Sequence, residues 1–403
     1  GIFPPDAPCG YHVRIMNKHL LPIVAIVSSL AARPAEAQET AEKPPSSQTA
    51  VRFAIGDIHG DYASFIKLLG RLGLVDSKLR WSGGRKELIQ TGDIFDRGPG
   101  SRAAVELLMK LEGEAKKAGG EATTLIGNHE VMNLVGDLRY VDPREYTSFA
   151  ADESAALRAK KKAAILGLGK SSAGLLRSNY YAGLASKINE TTFAVSFPPG
   201  FFAHREAFSL RGKIGAWLVT RNTVYLKDRN LFVHGGISPR VSEILPGKIN
   251  STVRADLKAF LTATDKLETL GVFDLSLGVH ELFLLLAKEK ATGAAPHPKV
   301  AASFATIERI KNTSLLFAPD GPFWYRGLAL GDEKAFAPEV KKILGFQDVD
   351  RIVIGHTQPP SLRIQGRFSN SVIMIDTGMN QQVYMGRASA LGFQADGKLQ
   401  VFE

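Results

Sequence analysis

Acidic, amide and imidazole side chains occur at five places where a short apolar run is followed by a glycine or by a residue next to a glycine. Residues 56–61 read Gly-Asp-Ile-His-Gly-Asp, and residues 92–98 read Gly-Asp-Ile-Phe-Asp-Arg-Gly. Residues 127–130 read Gly-Asn-His-Glu, while His234 and His356 each stand beside a glycine. Carboxylate, amide and imidazole groups are ligands for Mg, Mn, Fe and Zn ions. The pattern therefore predicts metal chemistry at these positions.

The same residue types fit a site with two metal ions that acts on a phosphate ester. Two cations about 3.5–4 Å apart need one bridging carboxylate and can activate a shared water as the nucleophile. Arg97 can hold two phosphate oxygens at once, which a lysine cannot do. The glycines let the backbone turn sharply, so that side chains from different strands can converge.

Short buried strands are the elements that must position these side chains. The predicted strands are Arg52–Ile55, Glu87–Gln90, Thr124–Ile126, Leu231–Val233, Arg351–Ile354 and Val372–Ile375. Each ends just before polar residues, and the carboxyl ends of strands are where open α/β sheets bind ligands. Helical periodicity predicts helices over Tyr62–Leu72 and Ser101–Lys117. Residues 133–220 and 279–312 lack strand patterns, and we expect the first of these stretches to form a helical insertion or cap.

The first fifty residues have the character of a leader. Residues 16–37 combine a short positive start, an apolar run over Leu20–Ala32 and small residues before Ala37, as in a secretory signal peptide. The apolar run is shorter than the roughly 20 residues that span a bilayer, so we expect no stable membrane anchor. The alternatives are an anchor or an N-terminal core helix. We expect a presequence over 1–37, a flexible leader over 38–50, a catalytic domain over 51–403, and export to a bacterial periplasm.

Composition narrows the class of protein. The chain has 403 residues, 44% apolar residues and a net charge of +10, which exclude a disordered polymer and favour acidic partners. Its single cysteine, Cys9, excludes an internal disulfide. The run Lys160–Lys162 lies in an Ala/Leu-rich segment, so we interpret it as a solvated helix face and expect no nucleic-acid binding. His204, His280 and His297 lie outside the motifs, and we expect them to be surface or packing residues.

In this order and combination, the motifs resemble those of the PPP-type phosphoprotein phosphatases in the calcineurin-like metallophosphoesterase superfamily. Residues 127–134 and 136–141 (Gly-Asn-His-Glu-Val-Met-Asn-Leu and Gly-Asp-Leu-Arg-Tyr-Val) are similar to the Shewanella-like branch of that family. The Phe-Trp-Tyr-Arg-Gly sequence at 323–327 is similar to the same branch, and the resemblance covers residues 51–390. It implies an α/β/β/α sandwich of two mixed sheets, flanked by helices and carrying a helical cap.

The resemblance also implies which residues hold the metals. The expected ligands of the first ion are Asp57, His59 and Asp93, and those of the second are Asp93, Asn128, His234 and His356. Asp93 would therefore bridge the two ions. Asn128 would also contact the phosphate. We expect two divalent cations. Manganese is the metal we expect most, and iron, zinc and magnesium are the alternatives.

Catalytic roles follow from the same resemblance. His129 would protonate the leaving oxygen and Asp96 would orient it, while Arg97 and Arg326 would hold the phosphoryl group. Arg139 is either a third phosphate contact or the partner of a neighbouring aspartate.

Two further features bear on the surroundings of the site. The aspartates near Arg139 are Asp137 and Asp142. Asp376, in the Asp-Thr-Gly turn after the last predicted strand, is a candidate partner of a ligating histidine.

Together these residues predict a metal-dependent phosphomonoester hydrolase that acts on phosphorylated protein by attack of a metal-bridging hydroxide. Phosphoserine, phosphothreonine and phosphotyrosine all remain open, as does the oligomeric state. One alternative is a bis(nucleoside) tetraphosphatase or another nucleotide phosphohydrolase, which would turn over dinucleoside polyphosphates but not phosphopeptides. The other is a catalytically inactive phosphate-binding module, which would bind phosphopeptides without releasing phosphate.

Overall fold

The structure is a computed structural model that describes residues 51–403. The predicted signal peptide, its cleavage after Ala37 and the leader over 38–50 lie outside the described residues. The strands are β1 (Arg52–Ile55), β2 (Glu87–Gln90), β3 (Glu121–Thr124), β4 (Val224–Lys227), β5 (Asn230–Val233), β6 (Arg351–Ile354), β7 (Gln365–Arg367), β8 (Val372–Met374), β9 (Ala390–Phe393) and β10 (Leu399–Phe402).

The helices surround these strands. They are α1 (Tyr62–Arg71), α2 (Ser101–Lys117), α3 (Asn128–Val135), α4 (Pro143–Phe149), α5 (Ala155–Ser171), α6 (Tyr180–Leu184), α7 (Phe193–Ser196), α8 (Phe201–Ala207), α9 (Lys213–Leu218), α10 (Pro239–Ser242), α11 (Pro246–Thr269), α12 (Val279–Ala291), α13 (Pro298–Thr313), α14 (Gly327–Leu330), α15 (Glu333–Gln347) and α16 (Gln381–Tyr384). Single 3₁₀ turns lie at Ala150–Asp152 and Leu275–Leu277.

The strands form two five-stranded sheets, ordered β10-β9-β1-β2-β3 and β4-β5-β6-β8-β7. In the first sheet β1, β2 and β3 are parallel, whereas β9 and β10 are antiparallel to their neighbours. In the second sheet β5, β6 and β8 are parallel and the outer strands are antiparallel. Both sheets are therefore mixed, and the predicted α/β class with two mixed sheets and flanking helices is confirmed.

An apolar layer joins the two sheets. Ala54 and Ile89 of the first sheet belong to one buried cluster with Phe232 and Val353 of the second. The rings of Phe232 and Phe393 meet edge to face at 5.7 Å. Because residues on both faces of the central strands are buried, these strands appear in the sequence as continuous apolar runs.

Residues 133–220 contain helices and no strand. Here α4 and α8 pack against each other around a separate aromatic cluster. Its buried members are Tyr146, Ile165, Phe193, Phe197, Phe201 and Phe202. We call residues 143–218 the helical cap.

One predicted strand is displaced. Its expected span is Thr124–Ile126, but β3 ends at Thr124, and Leu125 instead forms an isolated bridge with Asn222 next to the second sheet. The Ile126 amide donates to the Asn222 carbonyl at 3.1 Å, so the backbone passes from one sheet towards the other at this point. Sequence periodicity does not register such a crossing, because both sheets accept the same apolar side chains.

Candidate metal centre

Loops that follow β1 and β2 bring together the first predicted ligands. The amides of Ile58 and His59 both donate to the carbonyl of Asp93, at 2.9 and 3.0 Å. The His59 Nε2 atom lies 3.7 Å from Asp57 Oδ2 and 3.7 Å from Asp93 Oδ2. All three side chains are buried. The structure thus places Asp57, His59 and Asp93 around one point.

Backbone carbonyls orient the histidine rings of the site. His59 Nδ1 lies 2.9 Å from the Phe95 carbonyl, and His234 Nδ1 lies 3.0 Å from the Thr91 carbonyl. A carbonyl can only accept, so each Nδ1 carries the proton and each Nε2 has a lone pair for a metal. Burial and the nearby Arg97 charge lower the pKa of His59 well below its usual value, which keeps this ring neutral.

The second sheet supplies the other predicted ligands. His234 Nε2 lies 3.2 Å from Asp93 Oδ2, 2.7 Å from Asn128 Oδ1 and 3.2 Å from His356 Nδ1. The His356 amide donates to both carboxylate oxygens of Asp57, at 3.1 and 3.2 Å. Two groups of donor atoms result, His59–Asp93–His129 and Asp93–His234–His356, each within 4.8 Å, and they share Asp93.

The electrostatics of these groups fit divalent cations. Burial, together with the charges of Asp376 and Asp93, raises the pKa of the Asp57 carboxyl well above its usual range. Burial also opposes ionisation of Asp93, but His234 and His129 outweigh it and hold its pKa well below the usual range. Buried carboxylates that repel one another are stabilised by a cation, and oxygen and imidazole donors suit Mn, Fe, Zn or Mg.

His129 and Asp96 form a buried pair beside the donor groups. His129 Nδ1 lies 2.5 Å from Asp96 Oδ2, and the Asn133 side-chain amide donates to Asp96 Oδ1 at 2.9 Å. The His129 amide donates to Asp93 Oδ1 at 3.0 Å, so the first turn of α3 is fixed to that carboxylate. The Nε2 atom of His129 remains on the side of Asp93 Oδ2, 3.8 Å away.

Arg97 lies between two tyrosine rings. Its guanidinium carbon is 4.9 Å from the ring centre of Tyr140 and 5.4 Å from that of Tyr384, and Arg97 Nη2 is 3.4 Å from His129 Nε2. The Arg97 amide also donates to the Tyr140 carbonyl at 2.8 Å. Neither tyrosine has a role predicted from the sequence. Aromatic faces attract guanidinium groups, so the two rings fix the Arg97 side chain next to His129.

The two other predicted arginines occupy different surroundings. Arg326 Nη1 donates to the His356 carbonyl at 3.0 Å and to Thr357 Oγ1 at 2.8 Å, which places Arg326 at the loop of a predicted ligand. Arg139 forms a two-point ion pair with Asp137, at 2.8 and 2.7 Å, and its side chain is half exposed. Of the two alternatives for Arg139, the structure shows the ion pair with a neighbouring aspartate. Phosphate binding by Arg139 stays a prediction.

Glu130 is a structural residue of the site to which the sequence motifs assign no role. Its carboxylate accepts hydrogen bonds from the amides of Asp93, Ile94 and Gly127, at 2.8, 2.7 and 2.6 Å. Burial and the Asp93 charge raise its pKa to about 7. A methyl group on Gly127 would lie 2.3 Å from Asp93 Oδ1, so no larger residue fits there. The signal that could have found Glu130 is the fourth position of the Gly-Asn-His-Glu motif.

Asp376 is buried beside Asp57. Its carboxylate accepts from the Gly378 amide at 3.0 Å and from the Gln358 side chain at 2.8 Å. Burial raises its pKa to about 6. These hydrogen bonds go to a turn amide and a glutamine, and within residues 51–403 none joins Asp376 to a ligating histidine, so that partnership stays a prediction.

The lysine run of the cap differs from the expected solvated face. Lys161 is buried, and its Nζ atom lies 2.6 Å from Glu268 Oε1 and 3.1 Å from Asp274 Oδ2. Lys162 pairs with Glu190 at 2.5 Å. The interpretation as a wholly solvated face is therefore wrong, because the middle lysine is buried and pairs with two carboxylates. Over residues 51–403, none of the helices has the length and apolar character needed to cross a membrane.

Comparisons with known proteins agree with this geometry. A sequence model of the family described as calcineurin-like phosphoesterases matches residues 53–360. An uncharacterised protein of Schizosaccharomyces pombe is 29% identical over 346 residues, which cover 85% of this chain and 76% of that protein. Shewanella-like protein phosphatase 2 of Arabidopsis thaliana is 34% identical over 216 residues, 51% of each chain. The chain thus spans about half the length of this plant relative.

A solved structure has a similar arrangement. The crystal structure of a cold-active protein-tyrosine phosphatase from a psychrophilic Shewanella species superposes with a TM-score of 0.54 at 25% identity. The match covers 87% of this chain and 80% of that chain.

Proposed function

The chain belongs to the calcineurin-like phosphoesterase family, and from this premise we propose that it is a phosphoprotein phosphatase. As a member, it is a metal-dependent hydrolase of phosphoric esters. The observation that supports the proposal best is the pair of donor groups that share Asp93, next to the His129–Asp96 pair and Arg97. The phosphatase names of the plant and bacterial relatives add support for phosphorylated protein as the substrate class.

We propose that the six predicted ligands hold two divalent cations and that manganese is the preferred metal. These are Asp57, His59, Asp93, Asn128, His234 and His356. When bound, such ions supply Lewis-acid stabilisation of the phosphoryl oxygens and activate the attacking water. The protein contributes a buried site in which the pKa of Asp93 and the pKa of His59 both lie below their usual values, the direction that suits metal ligands.

The remaining side chains would act on the phosphoryl group and on the leaving oxygen. Arg97 carries a planar pair of donors that suits two phosphate oxygens, and Tyr140 and Tyr384 hold it in place. We assign the same role to Arg326, and phosphate contacts to Asn128 and Arg139 as well.

His129 would give the proton to the leaving oxygen from Nε2. Asp96 holds its Nδ1 proton and therefore fixes both the tautomer and the ring orientation.

A panel of substrates tests the proposal. The purified chain with Mn²⁺ should release phosphate from 4-nitrophenyl phosphate and from phosphotyrosine or phosphoserine/threonine peptides, and a chelator should stop both reactions. Turnover of diadenosine tetraphosphate without phosphopeptide turnover would instead identify a nucleotide phosphohydrolase. Phosphopeptide binding without phosphate release would identify an inactive binding module.

Substitution of the shared carboxylate tests the two-metal arrangement. We expect Asp93→Asn to lose activity and metal content together, since both donor groups use this residue. Asp348→Asn is the matched control, because Asp348 is 87% exposed in its side chain and precedes the opposite end of β6. Metal content is measured by inductively coupled plasma mass spectrometry. If the Asp93→Asn protein were active and loaded with metal, Asp93 could not be a ligand that both ions need.

We also propose that the chain is exported to the periplasm by the signal peptide at 16–37. The support is the sequence pattern alone. N-terminal sequencing of the protein from a periplasmic extract tests the proposal, and the expected first residue is Gln38. An uncleaved N-terminus in that extract would contradict it.

A further inference from the structure

A groove lies between the loop after α3, the helical cap and the 3₁₀ turn at 275–277. We call it the cap groove and define it by Leu138, Arg139, Ile188, Ser196, Leu277 and His280, all of which line one cavity of about 560 Å³. This volume is in the range of about 300–1,000 Å³ that ligand pockets occupy. None of the residues assigned to metal binding or proton transfer lines it.

The walls of the groove are apolar and its rim is polar. Leu138, Ile188 and Leu277 are half-buried and pack against the aromatic cluster of the cap, with Phe197 and Phe201 behind them. The rim carries Arg139, Ser196 and His280. A concave apolar surface with a few polar groups at its edge suits an apolar side chain that is attached to a polar backbone.

The floor of the groove is preformed. Gly136 and Gly278 have φ angles of +84° and +89°, and a methyl group on Gly278 would lie 2.9 Å from the Gly136 carbonyl oxygen. Such close approach of two backbones leaves no space for side chains at either position. The Asp137 amide closes the end of α3 by donating to the Met132 carbonyl at 2.8 Å.

Two short stretches of chain link the groove to the candidate active site. Arg139 lines the groove, and the next residue, Tyr140, has its ring centre 5.4 Å from that of His129 and also packs on Arg97. Helix α3 also connects the candidate active site to the groove. Asn128 and His129 of the site begin this helix, and Gly136 of the groove follows its end. An eight-residue helix is about 12 Å long, a distance that an extended peptide covers in about three to four residues.

We propose that the cap groove binds an apolar side chain of the phosphopeptide substrate, about three residues from the phosphorylated residue. The proposal rests on the proposed function, since a phosphopeptide is the occupant that would reach the metal centre and the groove at the same time. It assigns a sequence preference to the cap: a leucine, isoleucine or phenylalanine at this distance is buried in the groove, whereas an aspartate leaves the apolar walls exposed.

A positional peptide series tests the groove. One leucine is moved through each position from four before to four after the phosphorylated residue, with aspartate at the same position in the matched peptide, and kcat/KM is measured for each pair. We expect a leucine preference of about tenfold, concentrated about three residues from the phosphate, as burial of one large apolar side chain should give.

Two neighbouring residues of α7 provide a matched pair of variants. Ser196 lines the groove, whereas Val195 is 87% exposed and does not line it. We expect Ser196→Trp to fill the groove and reduce the leucine preference to less than about twofold, while Val195→Trp keeps it. Ile188→Ser, on another wall, is the second groove variant if Ser196→Trp does not fold.

The outcomes separate the groove from the function. No phosphate release from 4-nitrophenyl phosphate or from any phosphopeptide by the wild-type chain would mean that the proposed function fails. Phosphopeptide turnover without a positional preference, or an equal loss of preference in both tryptophan variants, would overturn the groove alone. A sedimentation change confined to Ser196→Trp, with the peptide preference intact, would show that a second copy of the chain occupies the groove and would also overturn the proposal.

Discussion

Five residues of the candidate site, none of them glycine, have left-handed backbone conformations. His59, Asp93, Asp96, Arg97 and His356 have φ angles between +46° and +71°. For residues other than glycine this conformation costs about 1–2 kcal/mol each. The hydrogen bonds that surround these loops must hold it, and the result is that side chains following different strands point towards Asp93.

The geometry of His129 supports a role in proton transfer, although its Nε2 atom also belongs to a donor group. Asp96 occupies Nδ1, and Arg97 Nη2 lies 3.4 Å from Nε2. We expect His129→Asn to keep its metals and to lower kcat by about 10²–10⁴-fold, as loss of a general acid does. Turnover of a phosphopeptide and metal content are measured on the same sample. Loss of metal in this variant would make His129 a ligand instead, and normal turnover would exclude the proton-transfer role.

Sequence spacing predicted Asp57, Asp93 and His129 because each lies in a short polar motif with glycine, directly after an apolar run, where α/β sheets bind their ligands. Tyr140 and Tyr384 could not be predicted in the same way. A ring that packs on a guanidinium acts through its face, and no fixed spacing brings it there: Tyr384 is far from Arg97 in sequence yet has its ring centre 5.4 Å from the guanidinium carbon.

Among the elements, the central strands could be predicted and the outer strands could not. β1, β2 and β6 match the predicted spans, since their residues are mostly buried and apolar. The edge strands β4, β7 and β10 are largely half-exposed and have mixed polarity, so they lack a continuous apolar run. β9 is buried, but its Ala390 and Gly392 have low strand propensity.

Helix α5 of the cap is fixed to α11 through one buried amine. Lys161 has a 7% exposed side chain and pairs with Glu268 of α11 and with Asp274, whose side chain is 2% exposed. We expect Lys161→Met to lower the free energy of unfolding by roughly 3 kcal/mol, because it leaves these carboxylates without their amine partner. Urea unfolding at neutral pH measures the change.

Lys160→Met is the control for this prediction, since Lys160 is the exposed neighbour on the same helix. Its expected effect is about 0.5 kcal/mol or less. Equal destabilisation by the two variants would contradict a role for the buried ion pairs and would point to a general effect on α5.

On the scale of the whole molecule, the metal centre depends on the packing of the two sheets. Asp93 follows β2 in one sheet, while His234 and His356 follow β5 and β6 in the other. Asp93 Oδ2 and His234 Nε2 come to 3.2 Å only because the apolar layer that contains Phe232 joins the sheets. The sequence predicts the ligands, but their distances are set by this packing, which no local pattern encodes.

Buried titratable groups outside the centre make the stability of the whole molecule depend on pH, with opposite signs. Burial raises the pKa of Glu145 to about 8, although the carboxylate accepts from the amides of Ser101 and Arg102 at the start of α2. Because this pKa is raised, the contribution of Glu145 to stability is full at acidic pH and declines as the pH rises towards 8.

His204 acts in the opposite direction and provides the clearest test. Its side chain is buried among the rings of Tyr146, Phe149 and Phe208, with centres 5.3, 5.1 and 4.6 Å away, and burial lowers its pKa well below the usual value. The unfolded chain therefore binds more protons than the native one below about pH 6.5, and the free energy of unfolding should fall by up to about 1.4 kcal/mol per pH unit on acidification.

We expect His204→Phe to remove this slope, measured by urea unfolding at a series of pH values from neutral to acidic. His280→Gln, at an exposed position, should keep it. The wild-type chain and both variants contain Glu145 and the same metal ligands, so the contributions of these groups to the slope cancel when the slopes are compared. A His204→Phe slope equal to that of the wild-type chain would refute the assignment to His204.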